Sequence, residues 1–176
     1  MGIIGGILGA LGFKSPNKAN PDVFHELRNM ILSTDPKELG TSATDGPVWG
    51  LLMETGYSEG SFTLVALRDG TVSLYFANGG GMIGIGEHET PRRIAGELLA
   101  LAPQYLSETS ITTTYPLPTD GLTKFYFLTF DGVRTVEGKE DDMGNNRHAL
   151  SPLFHKAHEL IGAARELDEA WAGLTS

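Results

Sequence analysis

The clearest pattern in the chain is a set of apolar runs separated by glycine and proline. Val48 to Tyr57 (VWGLLMETGY) is apolar and aromatic over most of its length and predicts a first strand. Ser58-Glu59-Gly60 reads as a turn. Ser61 to Leu67 and Thr71 to Ala77 then read as a hairpin. Asp69-Gly70 sits between its apolar runs, the composition of a type I′ turn with positive φ at both central residues. Phe62, Leu64 and Ala66 alternate with Thr63, Val65 and Leu67, so both faces of this strand are mostly apolar. That predicts a central strand covered on both sides. Later in the chain, Ser110 to Tyr115 (SITTTY) is a β-branched strand. Lys124 to Phe130 (KFYFLTF) has the composition of a buried strand, and Val133 to Glu137 follows a second Asp-Gly turn.

Three segments carry helical spacing instead. Asn20-Pro21-Asp22 combines a capping side chain, a proline at the first helical position and an acid at the positive helix end. The helix it opens presents Val23, Phe24, Leu27, Met30 and Ile31 on one face and runs to about Ser33, before Asp35-Pro36. Thr90-Pro91 opens a second helix with Ile94, Leu98, Leu101 and Tyr105 along one side, which Pro103 ends or kinks near Ala102. Ser151-Pro152 opens a third. Leu153, Ala157, Leu160, Ala164, Leu167, Trp171 and Leu174 follow at alternating spacings of four and three. Such a helix is about 33 Å long at 1.5 Å per residue, enough to lie across a sheet or to dimerise.

The order is helix, three strands, helix, three strands, helix. Direct hairpins imply an α+β fold with a mainly antiparallel central sheet of about six strands and helices packed on it. This element order is similar to that of profilin-like and roadblock-like adaptor domains. The similarity is one of topology, carried by no residue motif, and implies a fold and not an activity.

Composition adds bounds. The length of 176 residues and the apolar fraction of 40% suit one domain, taken as residues 20–176 after an N-terminal segment and linker, residues 1–19. There is no cysteine, which removes disulfides and thiolate chemistry and is compatible with a cytoplasmic location. The net charge is −9; residues 1–20 hold Lys14 and Lys18 and no acid, so the remainder carries −9 − 2 = −11. An acidic body argues against nucleic acid as a partner.

MGIIGGILGALGF is apolar but short of the roughly 20 residues of a spanning helix, and its lysines follow the apolar run where a signal peptide would place them before it. Glycines at positions 2, 5, 6, 9 and 12 make it a poor isolated helix. The expectation is a segment that packs on its own domain or on a second copy, with recruitment to a membrane surface as the alternative.

Candidate chemistry is sparse. Gly79-Gly80-Gly81-Met82-Ile83-Gly84 satisfies G-x-G-x-x-G, but it follows a hairpin strand and does not open directly into a helix, which argues against a dinucleotide site. A looser ligand or anion site combines Gly79, Gly80, Gly81, Gly84 and Gly86 with the following helix start, Arg92 and Arg93. Glu87 and Glu89 oppose it, and the competing reading gives the glycines a backbone role alone. In an extended chain, Glu87 and Glu89 point away from His88, so this triplet does not gather around one ion.

His155 and His158 stand at i, i+3 on the last helix, a pair that binds metal only if a third ligand joins it. Asp141 to Asn146 lacks EF-hand spacing and reads as part of an exposed polar loop over 137–146. No G-x-S-x-G elbow is present. No cofactor is implied. The sequence therefore points to a non-enzymatic protein-interaction or adaptor module with an unidentified protein partner. A homo-oligomer through the 152–174 helix or the N-terminal segment is a further expectation. A small-molecule or anion-binding protein, or an enzyme using the glycine loop, is the alternative.

Overall fold

Backbone hydrogen bonding of the apolar runs produces one seven-stranded sheet in the computed structural model, which describes residues 20–174. The strands are β1 (Val48–Tyr57), β2 (Gly60–Leu67), β3 (Val72–Phe76), β4 (Gly81–Met82), β5 (Ser110–Thr112), β6 (Leu122–Thr129) and β7 (Gly132–Lys139). Their order is β4-β3-β2-β1-β6-β7-β5, and every neighbouring pair is antiparallel. The helices are α1 (Pro21–Leu32), α2 (Glu89–Leu101), α3 (Glu140–Gly144) and α4 (Ser151–Leu174). The α+β class is as expected, with seven strands in place of about six. The additional strand is β4, whose two residues pair with Leu74 and Tyr75 at the sheet edge and are too few to give a periodic signal.

The central strands are covered on both sides, which explains their nearly continuous apolar sequence. On one face lie Phe24, Leu27 and Ile31 of α1, with Trp49, Leu52, Val65, Leu67, Tyr75, Tyr126 and Leu128 from the strands. On the other, Leu51, Met53, Phe62, Leu64, Leu74, Phe125 and Phe127 meet Ile94 and Leu98 of α2 and Leu153, Ala157, Leu160 and Ala164 of α4. The first four seam positions of α4 are thus completely buried in the chain's own core. Leu167 is partly buried against it, and the side chains of Trp171 and Leu174 lie outside the described residues, as does the N-terminal segment 1–19.

The cap of α1 follows the sequence chemistry, whereas α2 begins at Glu89, with Thr90 inside the helix and no side-chain bond from the capping His88. Asn20 Oδ1 accepts from Asp22 N at 3.1 Å, and Pro21 opens α1. At Pro103 the α2 helix has already given way to a 3₁₀ run over Ala102–Glu108. Two further expectations need correction. The β2–β3 turn is not type I′: Gly70 has φ of 94°, but among the described residues Asn146 is the only non-glycine with positive φ, so Asp69 stays in the ordinary region. Gly70 N bonds to Leu67 O and Leu67 N to Thr71 O, the three-residue hairpin closed by a glycine bulge. The acidic stretch after β7 is not simply an exposed loop either. Glu140–Gly144 forms α3, anchored by Met143, which is fully buried.

Candidate functional site

Among the described residues, the sheet carries a buried charge cluster on the α1 face. Glu54, the lone acid in an apolar strand, is completely buried. Its carboxylate accepts from Arg28 Nε at 2.6 Å and Nη2 at 3.0 Å, and from Thr63 Oγ1 at 2.8 Å. Arg28 also donates to Tyr115 O at 2.7 Å and lies 5.6 Å from the Tyr126 ring centre. Burial works against the Arg28 charge, but Glu54 outweighs it and the guanidinium pKa is raised. Burial, followed by the Glu54 charge, pushes Tyr126 up to about 12. Tyr126 OH donates to Pro116 O at 2.7 Å. The cluster ties α1 and the 115–116 loop to the sheet. Its bidentate carboxylate has no oxygen left free of a donor.

The glycine-rich crossing from sheet to helix does border a cavity. A groove of about 1200 Å³ runs between the β2–β3 turn, the crossing and α2. Gly84, Gly86 and Arg92 line it, as do Arg68, Asp69 and Glu87. Gly79, Gly80, Gly81 and Arg93 do not. Gly79 abuts the backbone of Asn20, and a Cβ on Gly86 would collide with the Gly70 carbonyl, so at both positions glycine permits two backbones to meet. Gly81 sits in the β4 ladder, and Gly80 N bonds to Asn78 Oδ1 at 2.9 Å.

The arginines are also committed. Arg92 Nε donates to Gly86 O at 2.7 Å. Arg93 pairs with Glu97 at 2.6 Å, and Lys156 of α4 reaches the same carboxylate at 2.9 Å. Arg68 donates to the carbonyls of Ser42, Gly46 and Val48. Asp45, Asp69 and Glu87 outnumber Arg68 and Arg92 around the groove. Asp69 Oδ1 caps Thr71 N at 2.9 Å, while Oδ2 is buried with no partner. The electrostatics therefore suit a hydrogen-bond donor better than an anion.

A second depression, of about 400 Å³, opens towards the other end of β3, where α4 crosses the sheet. Phe62, Leu74 and Ile161 form apolar walls, and Gly162 leaves a gap in the helix surface. Tyr57 and Phe76 stand at the rim, 46% and 40% exposed. His158 and Arg165 complete the lining. His158 stacks 4.3 Å from Phe154, with Phe62 edge-on at 6.4 Å, and its Nε2 is buried without a partner. Burial first, then the charges of His155 and Arg165, lowers its pKa and favours the neutral ring.

His155 is exposed, with Nε2 3.0 Å from Asn146 Oδ1. The two histidines thus serve different surroundings. Among the described residues, no group of three His, Asp or Glu side chains could hold a metal ion. Sequence reasoning passed over the aromatic depression because its parts come from β1, β2, β3 and α4. The available signal was two aromatics, Tyr57 and Phe76, at strand ends facing turns.

The chain matches no protein-family model, no curated protein and no solved structure. The fold and the depressions define it as an α+β domain with an antiparallel sheet between helices. Among the described residues, no helix is long and apolar enough to cross a membrane.

Proposed function

We propose that this protein is a non-enzymatic interaction module that receives an apolar segment of a protein partner in the depression between β3 and α4. The observation carrying the proposal is the pair of exposed aromatics, Tyr57 and Phe76, flanking an apolar-walled pocket of about 400 Å³. Aromatic side chains at the rim of a desolvated pocket are the usual anchors of protein interfaces. A pocket of that size accepts one or two large side chains. The reading is further supported by the internal commitment of Arg28, Glu54, Arg68 and Arg93. A cytoplasmic setting, in keeping with the lack of cysteine, is part of the proposal.

The test is an NMR titration of the full chain with amphipathic peptides bearing Leu, Ile and Phe. The proposal expects shifts concentrated at Tyr57, Phe76 and Gly162, abolished by Phe76→Glu. Shifts confined to Gly84, Gly86 and Arg92, or none at all, would overturn it.

A second reading has one observation in its favour, the unpartnered Asp69 Oδ2 in the larger groove. It gives the groove a small ligand bearing an amine or hydroxyl donor. A thermal-shift screen separates this from the anion alternative: amines should stabilise and phosphates should not, and Asp69→Asn should remove the effect.

A further inference from the structure

The chain enters the fold at the end of the sheet that also carries the rim of the aromatic depression, but on the opposite face, where α1 packs. The backbone of Asn20, the first described residue, packs against Gly79 so closely that a Cβ there would overlap it. Gly79 N in turn donates to the carbonyl of Phe76 at 2.8 Å. Phe76 is a rim residue of the depression. A chain preceding Asn20 would therefore round the β3–β4 end of the sheet to reach the pocket. Lys14 to Ala19 make six residues, which span at most about 20 Å when extended. That reach exceeds the roughly 10 Å between packed layers, enough to pass from the α1 face round the β3–β4 turn to the rim at Phe76.

Chemistry matches position. Residues 1–13 contain Ile3, Ile4, Ile7, Leu8, Leu11 and Phe13 and no charged side chain. The linker adds Lys14 and Lys18 next to a remainder of net charge −11, which holds a basic linker close at low salt. An apolar segment tethered this near meets the pocket at a high effective concentration.

We propose that the N-terminal segment of this chain docks in cis in the depression walled by Phe62, Leu74 and Ile161, and so competes there with an outside partner. This rests on the reading of that depression as an apolar-segment site. The segment acts as an internal occupant, displaced when a partner with better-placed apolar side chains arrives.

The chain has no cysteine, so Leu8→Cys introduces a unique attachment point for a nitroxide. The expected result is loss of amide signal at Ser61, Phe76 and Ile161 of the full-length, isotopically labelled protein. Gly162→Glu supplies the blocked control. A Cβ there meets no atom within 4 Å, so the substitution fills the pocket without disturbing the packed face of α4. It should restore the signals.

Signals undisturbed at the pocket in the labelled protein would overturn the proposal. So would broadening that appears only when nitroxide-bearing and isotope-labelled copies are mixed, which assigns the pocket to a second copy. Broadening that requires anionic lipid vesicles also overturns it, assigning the segment to a membrane. The same samples then receive an unlabelled amphipathic peptide. Peptide shifts at Phe76 without nitroxide broadening would leave the pocket reading standing and remove the cis occupant. The absence of both would remove the two together.

Discussion

At the scale of single residues, the sharpest dependence is at Arg28 and Glu54. Both are buried, and each is the other's main charge partner. Glu54→Leu leaves a buried guanidinium beside the Tyr126 ring with only the Tyr115 carbonyl to accept from it. Removing one partner of such a pair typically costs about 3–5 kcal/mol, while replacing both with apolar side chains of similar volume is often neutral. Urea unfolding should thus show a large loss for Glu54→Leu and recovery of most of it in Arg28→Met/Glu54→Leu. Equal loss in both variants would mean that the pair contributes shape and not charge balance.

His158 gives a second prediction at this scale. Its folded pKa lies below the ordinary 6.5, so the unfolded chain takes up the proton first as pH falls. The native state is favoured above about 6.5 and loses stability as pH drops from there towards the lower, folded value. His158→Phe, keeping the contact with Phe154, should flatten the stability profile in that window. An unchanged slope would assign it to other groups.

At the scale of elements, the legible features were those with local chemistry. The Asn20-Pro21 and Ser151-Pro152 starts, the four-three spacing of α4 and the apolar β1, β2 and β6 all depend on residues close in sequence. The missed features depend on distant neighbours. Strand β4 exists because Gly81 can approach Leu74, and α3 because Met143 finds the core. The glycines marked the sheet-to-helix crossing as irregular backbone, whereas the groove beside it depends on the distant β2–β3 turn and α2. Of its arginines, Arg93 pairs with Glu97 one helical turn on, a spacing visible in the sequence, while Arg92 turns back to the Gly86 carbonyl, which the spacing does not show. The aromatic pocket was less legible still, since it needs the α4 crossing to bring Ile161 against Phe62 and Leu74. One prediction belongs here. Gly162 sits inside α4 with no φ strain and no neighbour to a Cβ. Gly162→Ala should raise stability by about 0.5–1 kcal/mol, the helix-propensity difference, measured as a higher urea midpoint. A lower midpoint would mean that the helix needs the gap for packing.

At the scale of the whole molecule, the decisive fact is that two cores share one set of strands. β1, β2 and β6 present Leu52, Val65 and Tyr126 to the α1 layer and Met53, Leu64 and Phe125 to the α2–α4 layer. Loss of either layer exposes the other side of the same backbone ladder. The layers should therefore unfold together, as one two-state transition. Leu27→Ala, on the α1 side, and Leu160→Ala, on the α4 side, should each cost about 2–5 kcal/mol for a fully buried leucine. With Trp171 replaced by Phe, the fluorescence of buried Trp49 reports the α1 side alone. In both leucine variants, Trp49 fluorescence and far-UV circular dichroism should fall with one urea midpoint. A fluorescence midpoint that moves ahead of the dichroism in Leu27→Ala, but not in Leu160→Ala, would show that α1 leaves first. In that event the shared strands would not couple the two faces, and the Asn20–Gly79 contact at the end of the sheet would be lost before the sheet itself.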